Sequence, residues 1–234
     1  MTETGPNTSG SLSGDLAVFG PFFAIAIHAH HQPLPSPWQP MSALIADTDV
    51  LAARVDRVRT VLADRAGRPP GLIDVRVAAS VAHLGLVARL MAPRIGALAL
   101  GQPPLSWSIE DLWWQDDLGG PYPLSIAIEA GHRSPGPGWA VEAITDAISD
   151  RYRVSRKVLW GNVGSTTNTA AELIRAARPD LTAQAHHEAA TVLSDPRIDG
   201  GTTRAGPQFR RRSCCLIYRI ANNRAAACGD CVLI

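Results

Sequence analysis

Four cysteines near the C-terminal end are the residues of this sequence best suited to chemistry. The 234-residue chain has four cysteines in total, and all lie within its last 21 residues. They form the adjacent pair Cys214-Cys215 and, after twelve intervening residues, the turn Cys228-Gly229-Asp230-Cys231. Because thiolates bind soft metal ions and take part in redox reactions, this clustering predicts a metal or redox centre.

Three kinds of site use four thiols. A disulfide framework is disfavoured because adjacent Cα atoms lie about 3.8 Å apart, whereas bridged cysteines usually have Cα atoms about 4.4–6.8 Å apart. A reducing compartment also opposes disulfides. A tetrathiolate zinc site and an iron–sulfur cluster both take four sulfur ligands, so the ligands alone leave these two open. Gly229 suits either, because it accepts a positive φ and exposes backbone N–H groups.

Arginines surround the cysteine pair, at Arg210, Arg211, Arg212 and Arg219. A cluster with four thiolate ligands is anionic and becomes more negative on reduction, so nearby cations favour the reduced state. The same cations would offset the charge of a zinc tetrathiolate. The arginines therefore predict an anionic centre without identifying its metal.

The motif that runs from Phe209 to Arg219 and continues at the CxxC turn resembles the FhuF-like ferric-siderophore reductases. In that family a Cys-Cys pair followed by CxxC binds a [2Fe–2S] cluster. Residues 76–85, 113–123 and 158–165 are similar to the family as well. The family usually has ten residues between the pair and the CxxC turn. The two additional residues here cost only about 0.2 kcal/mol of loop-closure entropy, and Asn222-Asn223 are plausible turn residues.

The resemblance implies that Cys214, Cys215, Cys228 and Cys231 ligate a [2Fe–2S] cluster and that the protein reduces siderophore-bound Fe³⁺ by one electron. Fe²⁺ binds such hard oxygen chelators far less tightly, so reduction would release the iron. The chain has no GxGxxG or P-loop pattern, so the electron is expected from a ferredoxin or a flavoprotein reductase. Candidate siderophore contacts are Arg210, Arg211, Arg212, Arg219, Arg156 and Trp160.

Two alternative functions remain open. One is a zinc-stabilised binding or scaffold protein without redox activity. The other is a [2Fe–2S] electron relay or sensor that does not act on siderophores.

Composition and charge predict a soluble, cytoplasmic protein. The net charge of +1 gives no overall field that would attract nucleic acid. The polar residues 1–15 lack the basic and apolar regions of a signal peptide. No run of about 18 apolar residues is present, so no integral membrane segment is expected.

Hydrophobic spacing predicts a helix-dominated α+β fold, a single domain with short strands and a C-terminal cysteine-rich segment. We expect a flexible polar tail over 1–16, a helical domain over 17–201 and a cluster-binding segment over 202–234. Helices are predicted over 42–66, 74–90, 141–159, 165–177 and 180–193, and strands over 22–27, 106–109 and 124–128. Pro93 is expected to break or kink its helix, and Ser165 or Thr166 to cap another.

The histidines are predicted to have structural roles. His28, His30 and His31 follow a strand-like segment, where a metal site is possible but a loop is the commoner outcome. His186 and His187 are adjacent in a helix and diverge by about 100°, which disfavours joint ligation. His83 lies in an apolar helix and is expected to be a hydrogen-bonded core residue.

Overall fold

The computed structural model describes residues 8–30, 32–103, 105, 107–128, 139–221 and 230–231, and this part of the chain folds as a helix-dominated α+β domain. Its helices are α1 (Thr8–Ala17), α2 (Ala43–Ala46), α3 (Thr48–Ala66), α4 (Val75–Ala99), α5 (Ala140–Tyr152), α6 (Arg156–Ala177), α7 (Thr182–Leu193) and α8 (Tyr218–Ala221). Its strands are β1 (Ala26–Ala29), β2 (Gln39–Pro40), β3 (Leu112–Trp114) and β4 (Leu124–Ile128). Short 3₁₀ turns cover Pro70–Leu72, Ile109–Asp111, Pro179–Leu181 and Asp199–Gly201. The predicted fold class is confirmed.

Helix α4 is the central helix of the core and packs against α3, α5, α6 and α7. It continues through Pro93, where the sequence predicted a break or kink, and ends at Ala99. Proline removes one intrahelical hydrogen bond. Pro93 and the flanking Met91, Ala92 and Ile95 are buried, so packing on both sides of the proline retains the helix.

By length and apolar character α4 is the one helix in the described residues that could cross a membrane. Two-thirds of its most apolar window, 67%, is buried inside the protein, as in the core helix of a soluble domain.

The four strands form one sheet in the order β1-β4-β3-β2. Strand β1 is parallel to β4, with Ile27 opposite Ile126, and β3 is antiparallel to β4, with Trp114 opposite Leu124. The predicted strand over 124–128 is confirmed. The strand predicted over 106–109 is wrong, since Ile109 begins a 3₁₀ turn and β3 follows it; Ser106 lies outside the described residues.

The first strand begins later than its apolar residues predicted, at Ala26 rather than Phe22. The buried guanidinium of Arg89 explains this difference. It donates to the carbonyl oxygens of Phe22 (2.5 Å), Ala24 (2.7 Å) and Tyr122 (2.8 Å). Phe22 and Ala24 therefore hydrogen-bond to α4 instead of to a neighbouring strand.

Part of the N-terminal segment predicted to be a flexible tail is helical. Helix α1 begins at Thr8, and its Leu12 and Leu16 are buried in the core. A Cβ on Gly96 of α4 would lie only 2.7 Å from the Leu16 side chain. The tail prediction is therefore wrong for residues 8–16.

Two predicted helix boundaries lie elsewhere in the structure. The helix predicted over 42–66 is divided at Asp47, which is extended and caps α3 by accepting from the Asp49 N–H at 2.8 Å. The helix predicted over 141–159 ends at Tyr152, because Arg153 is left-handed and Ser155 caps α6. Ser165 and Thr166 are therefore buried inside α6 and do not cap a helix.

Candidate functional site

Three of the four predicted ligands, Cys214, Cys215 and Cys231, lie in the described residues. Cys228 lies outside the described residues. Cys215 and Cys231 are each 1% exposed, whereas Cys214 is half-buried. No disulfide joins the three described cysteines, so the structure gives no support to a disulfide framework among them.

The backbone turns sharply directly after the cysteine pair. Leu216 has a left-handed φ of 71°, and its N–H donates to the Cys214 sulfur at 3.3 Å. A left-handed leucine costs about 1–2 kcal/mol relative to a right-handed one. The surrounding packing must stabilise this turn, which orients a backbone donor toward the sulfur of a predicted ligand.

The three described thiols are close enough to interact electrostatically. Burial raises the pKa of the Cys214 thiol, and the neighbouring Cys215 and Cys231 sulfurs raise it further, while the Leu216 N–H opposes them. Thiolates in close proximity repel one another unless a cation lies between or beside them. This arrangement suits a cationic metal centre, which deprotonates the thiols that coordinate it.

Helix α6 is the surface on which the cysteine segment packs. A Cβ on Gly161 would overlap the Oγ of Ser213, which directly precedes the cysteine pair. One turn further, a Cβ on Gly164 would lie 2.7 Å from the Ile198 side chain. Because residues three positions apart share a helix face, the two glycines let the side chains of Ser213 and Ile198 pack directly on the backbone of α6.

Polar groups of α6 hold the segment at both ends of the cysteine motif. Ser165 Oγ donates to Asp230 Oδ2 at 2.5 Å, within the CxxC turn. The Asp230 carbonyl accepts from the Arg211 N–H at 3.0 Å, which joins the two halves of the motif. Asn168 Oδ1 accepts from the Gly206 N–H at 2.7 Å. The chain positions Cys214, Cys215 and Cys231 through these contacts.

Arg211 is a buried cation in the segment that leads into the cysteine pair. It is 1% exposed, and it forms no ion pair with a carboxylate among the described residues. Its Nη2 donates to Asn162 Oδ1 at 2.6 Å and its Nε to the Ser213 carbonyl at 2.7 Å. Its Nη1 is buried with no hydrogen-bond partner in the described part of the chain. Burying a cation without an anion is costly, so an anionic group at this position would account for Arg211.

A buried polar chain connects Arg211 to the core. Asn162 Nδ2 donates to the Ser80 carbonyl at 3.0 Å and lies 3.4 Å from His83 Nδ1. The other ring nitrogen of His83, Nε2, hydrogen-bonds to Thr145 Oγ1 at 3.0 Å. The chain therefore links α4, α5 and α6 to the cysteine segment and confirms His83 as a hydrogen-bonded core residue.

Burial of the His83 ring is expected to make the stability of the protein depend on pH. Burial lowers its pKa from 6.5 to about 3, so the folded protein holds it neutral. The unfolded chain binds a proton at this ring below pH 6.5 and the folded chain does not, so stability falls as the pH drops below 6.5. Between pH 7.5 and 5.5 this group should reduce the free energy of unfolding by about 1.4 kcal/mol. Urea titrations at pH 7.5 and pH 5.5 measure this fall in the free energy of unfolding. In His83→Gln the fall should be smaller by the contribution of His83. An unchanged dependence in His83→Gln would contradict the prediction.

The predicted siderophore contacts do not form one surface. Arg211 faces inward, and Trp160 is 4% exposed under Arg197, whose guanidinium carbon lies 4.0 Å from the ring centroid. Arg156 pairs with Asp146 at 2.6 Å. The exposed Arg210 and Arg212 line a cavity of about 550 Å³ formed by residues 202–210 and 212. Arg219 lines a separate cavity of about 180 Å³.

The other histidines have ordinary structural contacts. His28 Nδ1 hydrogen-bonds to Ser125 Oγ at 2.8 Å, and burial lowers its pKa. His186 Nε2 lies 2.7 Å from a carboxylate oxygen of Glu172. His31 lies outside the described residues. Among those described, no group of three or more His, Cys, Asp or Glu side chains is arranged to hold a metal ion by itself.

The residues of α6 that hold the site were not predicted from the sequence. Asn162, Ser165 and Asn168 are all less than a tenth exposed, although asparagine and serine are weak helix formers. A helix that buries such residues must satisfy their hydrogen bonds elsewhere. This burial could have been suspected from residues 158–165, where the resemblance noted above includes Gly161 and Asn162.

Comparison with protein-family models gives a match of residues 211–233 to the FhuF 2Fe-2S C-terminal domain. The matched segment contains all four cysteines. Comparison with curated proteins finds no match. The resemblance to FhuF-like proteins is thus confirmed over this segment, and it supports [2Fe–2S] as the cofactor and a redox role.

The described residues suit such a group in their chemistry. The Cys214 thiol interacts electrostatically with Cys215 and Cys231, and the Leu216 N–H is directed at its sulfur. The buried Arg211 guanidinium bonds to the carbonyl of Ser213, the residue before the cysteine pair. Sulfur ligands, N–H···S bonds and nearby charge are the means by which a protein holds and tunes an iron–sulfur cluster.

Proposed function

We propose that this protein is a cytoplasmic ferric-siderophore reductase, which transfers one electron to siderophore-bound Fe³⁺ so that Fe²⁺ is released. The [2Fe–2S] centre would be held by Cys214, Cys215, Cys228 and Cys231. The main support is the match of residues 211–233 to the FhuF 2Fe-2S domain, on a segment in which Cys214 interacts electrostatically with Cys215 and Cys231. When bound, the cluster supplies a one-electron redox couple.

The protein's own residues hold and tune this centre. Cys215 and Cys231 are buried, which excludes water from those sulfurs, while half-buried Cys214 provides contact with the outside. The Leu216 N–H donates to the Cys214 sulfur, and the buried Arg211 guanidinium places positive charge in the segment that leads into the cysteine pair. Both groups favour the reduced form, because reduction adds one negative charge.

The electron balance requires a donor and no proton. A reduced ferredoxin or flavoprotein reductase gives up one electron, and Fe³⁺ in the siderophore becomes Fe²⁺. The lower charge weakens its binding to anionic oxygen ligands, so the chelator remains intact and loses the metal.

Metal and sulfide analysis of four single Cys→Ser variants tests the proposed ligand set. We expect the purified protein to be coloured and to contain about two irons and two sulfides per chain. Each of Cys214→Ser, Cys215→Ser, Cys228→Ser and Cys231→Ser should lose most of both. A colourless protein with bound zinc would contradict the proposal, because Zn²⁺ is d¹⁰ and takes no part in redox chemistry.

A single-turnover measurement tests the activity. The reduced protein is mixed anaerobically with a ferric siderophore and an Fe²⁺ chelator, while the optical spectrum of the cluster is followed. Reoxidation of the cluster should accompany the capture of about one Fe²⁺ per chain. Reoxidation by other acceptors without Fe²⁺ capture from any ferric siderophore would instead identify an electron relay or sensor.

A further inference from the structure

A basic groove lies beside the cysteine loop. Its cavity of about 180 Å³ is lined by Arg76 at the start of α4, Arg153 and Ser155 between α5 and α6, and Leu216 and Arg219 of the C-terminal segment. We propose that this groove binds the anionic face of the ferric chelate, so that the protein favours catecholate or carboxylate chelates over neutral or cationic ones. This inference rests on the proposed function and names the site and charge class of its substrate.

The first support is the position of the groove relative to the thiols. Leu216 forms part of its wall, and the Leu216 N–H donates to the Cys214 sulfur at 3.3 Å. Cys214 is half-buried, whereas Cys215 and Cys231 are buried. A ligand in the groove would therefore contact Leu216, whose N–H bonds to the sulfur of the most exposed described cysteine.

The second support is charge. Arg76, Arg153 and Arg219 contribute three cations, and Asp74 offsets one of them by pairing with Arg76 at 2.9 Å and with Arg219 at 3.7 Å. Arginine binds carboxylate and other anionic oxygen groups through its planar set of donors. The beginning of the 22-residue helix α6, at Ser155, adds the positive end of its dipole.

The third support is that the groove is built by tertiary structure. Its wall combines three parts of the chain that are far apart in sequence, near residues 76, 153 and 216. The larger cavity around Arg210 and Arg212 is formed by a single stretch of the chain, residues 202–210 and 212. The groove volume of about 180 Å³ is below that of usual ligand pockets, about 300–1,000 Å³, so it would hold one anionic face of the chelate and not the whole molecule.

Binding of a redox-inactive gallium chelate tests the inference without electron transfer. The holoprotein is titrated with anionic Ga³⁺ tris-catecholate and with a cationic Ga³⁺ trihydroxamate, and binding is followed by calorimetry. We expect the anionic chelate to bind more tightly, with an affinity that falls as salt is raised from about 50 to about 500 mM. The double variant Arg153→Gln/Arg219→Gln should bind the anionic chelate about tenfold more weakly.

Two further variants make the result decisive. Arg178→Gln removes an exposed arginine at the opposite end of α6, where it pairs with Asp180, and should leave the affinity unchanged. Arg210→Gln/Arg212→Gln removes charge from the other cavity. Loss of affinity in this variant but not in the groove variant would overturn the inference, as would equal affinity for both chelates. Tight, groove-dependent gallium binding with no Fe³⁺ reduction would instead refute the proposed function and leave the inference standing.

Discussion

Gly161→Ala is expected to reduce the iron and sulfide content of the purified protein several-fold. A Cβ at this position would overlap Ser213 Oγ and lie 3.1 Å from Ser213 Cβ. Overpacking of this kind typically costs about 1–3 kcal/mol. The segment before Cys214 would have to move away from α6, which would displace the cysteine pair relative to Cys231.

Gly85→Ala is the matched control for this prediction. Gly85 also lies inside a long helix, α4, but it is exposed and a Cβ there would meet nothing within 4 Å. Alanine has the higher helix propensity, so this variant should retain its iron and gain about 1 kcal/mol of stability.

A second substitution tests whether the overlap itself is the cause. Ser213→Ala removes the Oγ atom that a Cβ at residue 161 would strike, so Gly161→Ala/Ser213→Ala should recover part of the iron content. Full iron content in Gly161→Ala alone would show that the cysteine segment does not pack on α6 in the way described.

Arg211→Gln is expected to lower the reduction potential of the cluster by on the order of 60 mV, which corresponds to about 1.4 kcal/mol for one electron. Arg211 is a buried cation with no carboxylate partner among the described residues, so it stabilises added negative charge with little screening by solvent. Removing it disfavours reduction. A redox titration followed by EPR measures the shift.

Arg210→Gln is the control for the charge effect. Arg210 is exposed and donates to the neighbouring Phe209 carbonyl at 3.0 Å, so solvent should screen it. Its loss should change the potential little. Arg211→Lys keeps the charge but loses the fork that binds Asn162 and Ser213, so its potential should lie nearer the parent value. Equal shifts of the reduction potential in Arg210→Gln and Arg211→Gln would contradict the prediction that the buried Arg211 has the larger effect.

The sequence by itself was sufficient to predict a redox centre near the C-terminal end. Four cysteines in a short segment, with a pair followed by CxxC, limited the chemistry to a few sulfur-ligated sites, and the FhuF resemblance identified the cluster. Apolar spacing also predicted the helix-dominated fold and the strand over 124–128. These features depend on residue type and local spacing, which a sequence states directly.

Only the tertiary structure separated the arginines by role. Arg210, Arg211 and Arg212 are consecutive, yet Arg211 alone is buried and bonds to Asn162, 49 positions earlier in the chain. The same holds for Gly161, whose importance depends on how closely Ser213 approaches it. Burial and close packing arise between segments far apart in sequence, so the types and spacing of neighbouring residues cannot reveal them.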